Sequence, residues 1–495
     1  MSAKPTRFVP RDGAPARRKG RAKAAAKTKL VRHVVDAAYM GKPAHLRTRQ
    51  ERAMAGKALR VVCPRESQSG FQPNPARPDP IDILIASSVG RIEQLVPIRY
   101  GRMLASPFAF YRGGAAIMAA DLSRTPSTDV GVQSCGDAHL ANFGAFATPE
   151  RCIMFDINDF DETFPAPWEW DLKRLATSFV IASRHNGHKA SECRAAAANV
   201  ARQYAAKLRE LSSMNTLDAW YDYLDWPKLI ELGEDEELKQ RRRRSLAKAM
   251  ARDSAAEFTK LASIVDGKPR IKDAPPLIFH AHEHLAAGFE AVARENLGRY
   301  RESLPPERRV LLDRYEIADV AVKVVGVGSV GTMCMIALLF AADADSLFLQ
   351  LKEARPSVLE PYVEAPSFAT HGERVVFGQR LMQTSSDLFL GHMVSSEGRH
   401  VYVRQLRDVK VKPMIELYSP TNMLNFARYT GWALARAHAR SGDAAMLAGY
   451  IGKSDVFPDA IAHFAVDYAE QNLRDHAALV AAVRAGRIDA VMEPT

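Results

Sequence analysis

Apolar positions give the chain three successive textures: helical, then strand-like, then helical again. From Ile81 to Asp121 the spacing predicts helix, interrupted by the turn-like stretch SPFAFYRGG. Val130–Ser134 and Arg151–Phe155 predict short strands. In Trp168–Arg184, Leu172, Leu175, Ala176 and Phe179 recur at three- and four-residue intervals, the stripe that an amphipathic helix buries. Helical spacing continues to about residue 212 and returns over 241–264 and 281–300, with breaks at Pro275-Pro276 and Pro305-Pro306. After about residue 318, VAVKVVGV, MCMIALLF and SLFLQLK are short, rich in β-branched and apolar residues and joined by turns, which predicts a small antiparallel sheet. A helix near 373–385 and strands near 388–394 and 400–405 follow, and the pattern is helical from Asn422 onward. The polar stretch 65–80 predicts a linker or surface loop.

Composition narrows the class. The 495 residues are 47% hydrophobic and 25% charged, so the chain is globular and long enough for sizeable cores. Its net charge of +11 suggests nucleic acid, but the charge is localised. Residues 1–60 hold 17 of the 68 Lys and Arg and 3 of the 57 Asp and Glu, a net of +14, which leaves −3 for the remainder. That tail predicts disorder through at least about residue 30. It would be either a solvated leader or a loose phosphate-backbone contact, so nucleic acid enters only through the tail. The first 30 residues lack an apolar run suited to a secretory signal. The uncharged stretch Val324–Ala342 is long enough to span a bilayer, but its glycines, Ser329 and Thr332 predict a turn between strands. Five dispersed cysteines without a C-x-x-C pair fit a reducing cytoplasm and argue against a zinc ribbon. No membrane partner is expected.

Two stretches carry chemistry. In CGDAHLANF (135–143), Asp137 follows a strand and Asn142 comes five residues later. In CIMFDINDFDET (152–163), a second strand delivers Asp156, with Asp159 and Asp161 close behind. Each Asp alone is ordinary turn chemistry. Together these are hard oxygen ligands suited to Mg²⁺, and one carboxylate is free to take a hydroxyl proton. The second stretch, VVGVGSVGT (324–332), spaces Gly326, Gly328 and Gly331 as G-x-G-x-x-G, which lets backbone amides approach phosphates. A dinucleotide site needs a helix directly after such a turn, and here a strand follows. A further strand ends at Lys352, and strand, glycine turn, strand, strand with lysine is the protein-kinase order.

Other features are weaker. Arg102 and Arg112 fit either phosphate or acidic-acceptor binding or structural pairing. His280, His282 and His284 (FHAHEH) read as a capped loop rather than a metal site, and Arg241–Arg244 as a solvated helix. Cys135 reads as an inert thiol, and Trp168 and Trp170 as packing residues.

CGDAHLANF resembles the catalytic loop of aminoglycoside phosphotransferases and other kinase-like enzymes, with Cys135 in place of the usual His. FDINDF resembles the Ile-Asp segment after that loop, and WDLKRLA the helix start downstream, with Asp171 structural. From about residue 55 to the end the chain resembles an uncharacterised bacterial family, domain-of-unknown-function family twenty-two fifty-two. The stretches that carry this are SPFAFYRGGAAIMAADL, FDINDFDETFPAPWEWDLKRLA, VVGVGSVGT, GQRLMQTSSDLFLG and GWALARAHARSGD.

The resemblance implies an α+β, two-lobed protein-kinase-like fold with a mostly helical large lobe and a small antiparallel β lobe. Its motif order implies a circular permutation of that fold, with independent invention of a similar site as the alternative. The catalytic loop at 135 precedes the glycine turn near 326, and LNFARYTGWALARAHAR (424–440) resembles the helix that normally leads into the catalytic loop. The expected units are a basic tail (1–60), a helical lobe with the catalytic loop (61–315), a nucleotide-binding β lobe (316–410) and C-terminal helices completing the helical lobe (411–495). The implied cofactors are ATP and Mg²⁺. Gly326, Gly328, Ser329 and Gly331 would cover the phosphates, and Lys352 would neutralise them, paired with Glu360 or Glu373. Asn142 with Asp156 or Asp159 would hold Mg²⁺, and Asp137 would orient or deprotonate the acceptor. The hinge would lie near Arg404–Leu406. The expected activity is ATP-dependent phosphoryl transfer to a hydroxyl acceptor, a small molecule over a protein. Nucleotidyl transfer from the same ATP site, and a non-catalytic nucleotide-binding scaffold with a basic tail, are the alternatives.

Overall fold

The computed structural model describes residues 42–492, apart from 232–235, 237–238, 241–242, 245–246, 248–253, 276, 281–288, 325, 343–344, 365–367, 407–409 and 412. It is an α+β structure of helices and small antiparallel sheets. The helices that position the site are α1 (Arg49–Ala58), α2 (Pro80–Ser88), α3 (Val96–Leu104), α4 (Pro107–Gly113), α5 (Ala115–Leu122), α6 (Trp168–His185), α7 (Ala190–Ser213), α8 (Phe289–Glu302), α9 (His371–Met382), α10 (Pro420–Ala439), α11 (Ala444–Ile451) and α12 (Val456–Arg484).

The predicted stripe on α6 is fully buried, and α6 is surrounded by other elements, so even its charged Asp171, Lys173 and Arg174 lie inside. Its neighbour α7 buries the small residues Ala196, Ala197, Val200 and Ala201 and packs on α10. On α10, a Cβ added at Gly431 would lie 2.6 Å from the Val200 carbonyl. The missing side chain at Gly431 therefore allows the close approach, and dispersion contacts fill the interface. α12 lies across α6 and α7, and Lys173 lies over the Phe464 ring.

Two expectations about the N-terminal region are corrected. The tail ends well before residue 60, because α1 is an integral helix. Thr48 and Glu51 form a capping box at its start. A Cβ at Gly56 would lie 1.9 Å from the Met446 carbonyl of α11, and one at Gly449 would lie 2.1 Å from the Ala53 carbonyl. Likewise SPFAFYRGG is helix rather than interruption. Ser106 caps α4, accepting from the Ala109 amide at 3.0 Å, and Pro107 occupies the first turn, where proline is at home.

The main sheet orders its strands β11-β12-β10-β9-β8-β7, all antiparallel. These are β7 (Ile278–Phe279), β8 (Glu316–Lys323), β9 (Cys334–Phe340), β10 (Ser346–Glu353), β11 (Gly391–Val394) and β12 (His400–Gln405). Period-two alternation divides the apolar residues between its faces. Val320, Ala337, Leu339, Leu347, Leu349 and Val403 join Tyr300 and Leu304 on one side. Ala321, Ile336, Leu338 and Phe348 join Leu261 and Ile271 on the other. The uncharged stretch from Gly326 to Ala342 is thus the glycine turn and β9, and among the described residues no helix is long and apolar enough to cross a membrane.

Smaller strands frame the chemistry. β1 (Gly131–Ser134) pairs with β4 (Phe164–Pro167), and β2 (Phe143–Ala147) forms a hairpin with β3 (Ile153–Ile157). β3 begins and ends two residues later than the pattern predicts. The short β13 (Lys410–Val411) pairs with β2 and leads the chain from the main sheet back toward α10. At the end of the region predicted helical over 241–264, β5 (Ala262–Val265) replaces the last turn and pairs through a turn at Asp266-Gly267 with β6 (Lys268–Ile271). Both turn residues have positive φ, the Asp-Gly signature of a tight hairpin.

Candidate active site

One face of α6 builds the loop that carries Asp137. Asp171 accepts hydrogen bonds from the Cys135 and Gly136 amides at 2.7 and 3.0 Å. Ser178 accepts from the Leu140 amide at 3.0 Å. Between them, Arg174 holds the Asp137 carboxylate through Nε at 2.6 Å and Nη2 at 2.5 Å. These residues, three and four positions apart, share a helix face. Asp171 is itself braced by His438 of α10 at 3.2 Å, and Tyr204 of α7 bonds the other ring nitrogen of His438 at 2.8 Å. Gly136 has φ +79°, and a Cβ there would meet the Glu162 carbonyl at 2.3 Å, so only glycine turns the chain at this point. The Asn142 amide donates to the Asp137 carbonyl at 2.8 Å, closing the loop. Burial raises the Asp137 pKa, opposed by the charges of Arg174 and Arg112. The Cys135 thiol is pushed well up by burial and by Asp171, so it stays protonated and serves as packing.

The carboxylates beyond β3 divide by role. Asp156 is fully buried and its oxygens are already taken. It accepts from the Ile157 amide (2.9 Å), the Thr384 amide (2.9 Å), the Thr384 hydroxyl (3.0 Å) and Arg436 Nη2 (2.6 Å). The expectation that Asp156 ligates metal is therefore corrected, because it is the anion of a buried ion pair. Asp159 and Asp161 face the main sheet instead. Lys352, at the end of β10, lies 2.7 Å from Asp161 and 4.0 Å from Asp159. Tyr402, opposite Lys352 on β12, donates its hydroxyl to Asp161. Arg404 bonds Gln350 at 3.0 Å and the Asn158 carbonyl at 3.3 Å. Burial resists ionisation of Asp161, but the Lys352 charge and its hydrogen bonds overcome this and hold its pKa below the ordinary value. Burial and the Asp161 charge raise Asp159.

The expected partners of Lys352 are also corrected. Glu373 accepts from the Ala369 amide at 3.0 Å at the start of α9, acting as a capping residue. Glu360 accepts from the Ser357 amide at 2.9 Å and lies 3.7 Å from both Arg374 and His371. The helix after β10 does reach the site, but through Arg374, which donates to the Asp161, Thr163 and Arg355 carbonyls.

In the glycine turn, Gly326 and Gly331 have φ +70° and +83°, and the Ser329 carbonyl accepts from the Thr332 amide and hydroxyl. The turn is gripped by a segment outside the sheet. Arg91 donates to the Val330 carbonyl at 2.6 Å, the Ile92 amide to the Gly331 carbonyl at 2.7 Å, and Arg102 to the Gly326 carbonyl. A Cβ at Gly328 would lie 3.5 Å from the Arg112 carbonyl. Arg102 is thereby explained as a brace. His280 bridges Asp273 and Asp319 at 2.8 and 3.0 Å, while His282 and His284 lie outside the described residues, as do Arg241 and Arg242.

Arg174 and Tyr402 complete the site without having been assigned a part in it from sequence, and Asp161, grouped there with the Mg²⁺ ligands, is instead the partner of Lys352, while Arg404, expected at the hinge, bonds Gln350 and Asn158. Arg174 had a signal, its three-residue spacing from Asp171 on a predicted helix. Among the described residues, no three His, Cys, Asp or Glu side chains converge as a metal site. A smaller donor set fits a hard cation that keeps water and phosphate ligands. Asp159 Oδ1 is buried without a hydrogen-bond partner, and Asn142 uses its amide nitrogen on Asp137 and keeps its carbonyl oxygen. The Asn142 carbonyl of the main chain accepts from the Asn158 amide at 2.8 Å, which ties the two loops together.

No curated protein and no solved structure matches the chain. A family model matches residues 91–482, from the brace at Arg91 through nearly all of α12, and so includes every site residue above. The chain belongs to that family, DUF2252, described as an uncharacterized protein conserved in bacteria.

Proposed function

We propose that this protein is an ATP-dependent phosphotransferase of the kinase-like class, acting on a hydroxyl group of a small molecule. The observation that carries this reading is the meeting of Lys352 with Asp161 and Asp159 beside a braced glycine turn. Strand, glycine turn, strand, strand with lysine, then a helix is the order in which protein kinases present phosphate-binding groups. The permuted order is supported by a contact across the chain. The Gln133 amide of β1 donates to Ser441 Oγ at 2.8 Å, and Gly442 packs on Val132. The end of α10 therefore lies at the start of the strand leading into the Asp137 loop, where an unpermuted chain would be continuous.

In this mechanism the glycine turn presents backbone amides to the phosphates, and Lys352 exchanges Asp161 for phosphate oxygens. Mg²⁺ held by Asp159 and Asn142 would supply further neutralisation of phosphate charge. Asp137, oriented by Arg174, accepts the proton of the attacking hydroxyl, and burial strengthens it as a base. Little covalent chemistry is asked of the protein, so positioned charge suffices.

The test is Mg-ATP turnover across a panel of hydroxylated metabolites, with product analysis. ADP is the expected product, and pyrophosphate would indicate nucleotidyl transfer. Asp137→Asn and Lys352→Met should each lose at least about a hundredfold in rate while remaining folded. Full activity in both variants overturns the assignment.

A further inference from the structure

Residues 91–113 belong neither to the main sheet nor to the Asp137 loop, yet they touch both. Arg91, Ile92 and Arg102 hold the glycine turn from one end of this segment. At the other end, the Tyr111 carbonyl accepts from Arg174 Nη2 at 3.1 Å, and the Tyr111 hydroxyl donates to the Arg174 carbonyl at 2.8 Å. Arg174 is the residue that grips Asp137. Arg112 follows directly, its carbonyl 3.5 Å from a Cβ at Gly328 of the turn and its guanidinium interacting with Asp137.

The other cations at this place are committed. Lys352 is spent on Asp161, Arg174 on Asp137, Arg404 on Gln350 and Asn158, and Arg374 on backbone carbonyls. Arg112 is not. Its Nε is buried with no hydrogen-bond partner, and its guanidinium carbon stands 6.0 Å from the Phe108 ring. Arg112 interacts through space with Asp137, Glu416 and Asp159, without an ion pair among the described residues. A half-buried guanidinium offers a planar fork of donors matched to oxyanions. Here the Arg112 main chain lies against the turn that would hold the nucleotide's phosphates, its carbonyl 3.5 Å from a Cβ at Gly328, and its charge acts on Asp137, the carboxylate that would activate the acceptor.

We propose that Arg112 binds a phosphate group in the cleft between the glycine turn and Asp137. The proposal rests on the nucleotide-site reading above. Two sources share this chemistry, the terminal phosphate of ATP and a phosphate already carried by the acceptor.

The experiment compares wild type, Arg112→Met and Arg112→Lys by calorimetry with Mg-ADP, Mg-ATP and inorganic phosphate. The phosphate titration is done on protein alone and on protein saturated with a non-hydrolysable Mg-ATP analogue. If the source is the terminal phosphate, Arg112→Met keeps wild-type affinity for Mg-ADP and loses about ten- to a hundredfold for Mg-ATP, the scale of a charge-assisted hydrogen bond. If the source is the acceptor, both nucleotide affinities stay and phosphate binding to the analogue-loaded protein is lost. In either case Arg112→Lys recovers part of the loss. Unchanged binding of all three ligands in Arg112→Met overturns the proposal, as does an equal loss for ADP and ATP together with a lowered urea midpoint, the pattern of a structural role. If wild type binds neither nucleotide, the nucleotide reading fails. Phosphate binding to the protein alone then decides for Arg112 if Arg112→Met loses it, and against if it does not.

Discussion

Asp156 and Asp159 stand three residues apart and offer the same functional group, yet the structure gives them opposite duties. Asp156→Ala would remove an anion that is fully buried and takes four hydrogen bonds, the shortest from Arg436 at 2.6 Å. Arg436 is itself 1% exposed, and without Asp156 its remaining acceptor is the Met382 carbonyl at 2.7 Å. Breaking a buried pair by removing one partner costs about 3–5 kcal/mol, because an uncompensated charge stays inside. That is roughly two to more than three orders of magnitude in the folding equilibrium. The double variant Asp156→Ala/Arg436→Met removes both charges and should recover much of the loss. Asp159 is one-third exposed and 4.0 Å from Lys352, so Asp159→Ala should move stability by less than about 1 kcal/mol. Its loss should appear in Mg²⁺-dependent nucleotide binding. Urea denaturation read by tryptophan fluorescence, with Mg-ATP calorimetry on each variant, separates the two. The reasoning is refuted if Asp156→Ala unfolds at the wild-type midpoint and loses Mg²⁺ dependence while Asp159→Ala retains it.

Three further outcomes are expected. Burial, opposed by the Val358 amide and Arg374, raises Glu162 from 4.5 to about 7. Between those values the folded state binds the proton more tightly than the unfolded chain, so this stabilisation is present at low pH and lost as pH rises through 7. Glu162→Gln should match wild-type stability below pH 4.5 and exceed it above pH 7, and identical urea midpoints at pH 8 would contradict the cause. Gly136→Ala places a side chain on a left-handed residue 2.3 Å from a carbonyl, and should cost at least about 2 kcal/mol along with Asp137 alignment. A variant as stable and active as wild type would exclude that strain. Removing residues 1–41 should leave stability and turnover unchanged, whereas removal through residue 60 strips α1 from α11 and should lower the thermal midpoint sharply. Equal midpoints for the two truncations would show that α1 contributes nothing.

Elements whose signal is local were legible from sequence. The α6 stripe repeats within a few turns of helix, and β8, β9 and β10 are short apolar runs bounded by turns, so their burial needs no knowledge of the partner. The start of α4 was equally local, but Ser106-Pro107 carries cap and break signals at once, and the Gly113-Gly114 end favoured the break. Asp266-Gly267 marked a hairpin that surrounding helical spacing masked. For the site, the glycine turn, Lys352 and the Asp137 loop were identifiable because their spacing is fixed by short stretches of backbone.

Partnership was not legible, and it decides chemistry. Sequence could not separate Asp156 from Asp159, because Asp156 lies near the end of β3 and Asp159 just beyond it, and what packs on each decides its role. Arg436 lies 280 residues from Asp156. It could not pair Lys352 with Asp161, 191 residues away, rather than with the nearer Glu360 or Glu373. It could not place Arg112 beneath a turn more than 200 residues later. By itself the sequence determined most of the elements, the localisation of positive charge near the N-terminus and the inventory of reactive groups. The tertiary structure alone decided which charges neutralise one another and which remain available. Burial and pairing set a side chain's free energy, and both depend on segments that the chain brings together only on folding.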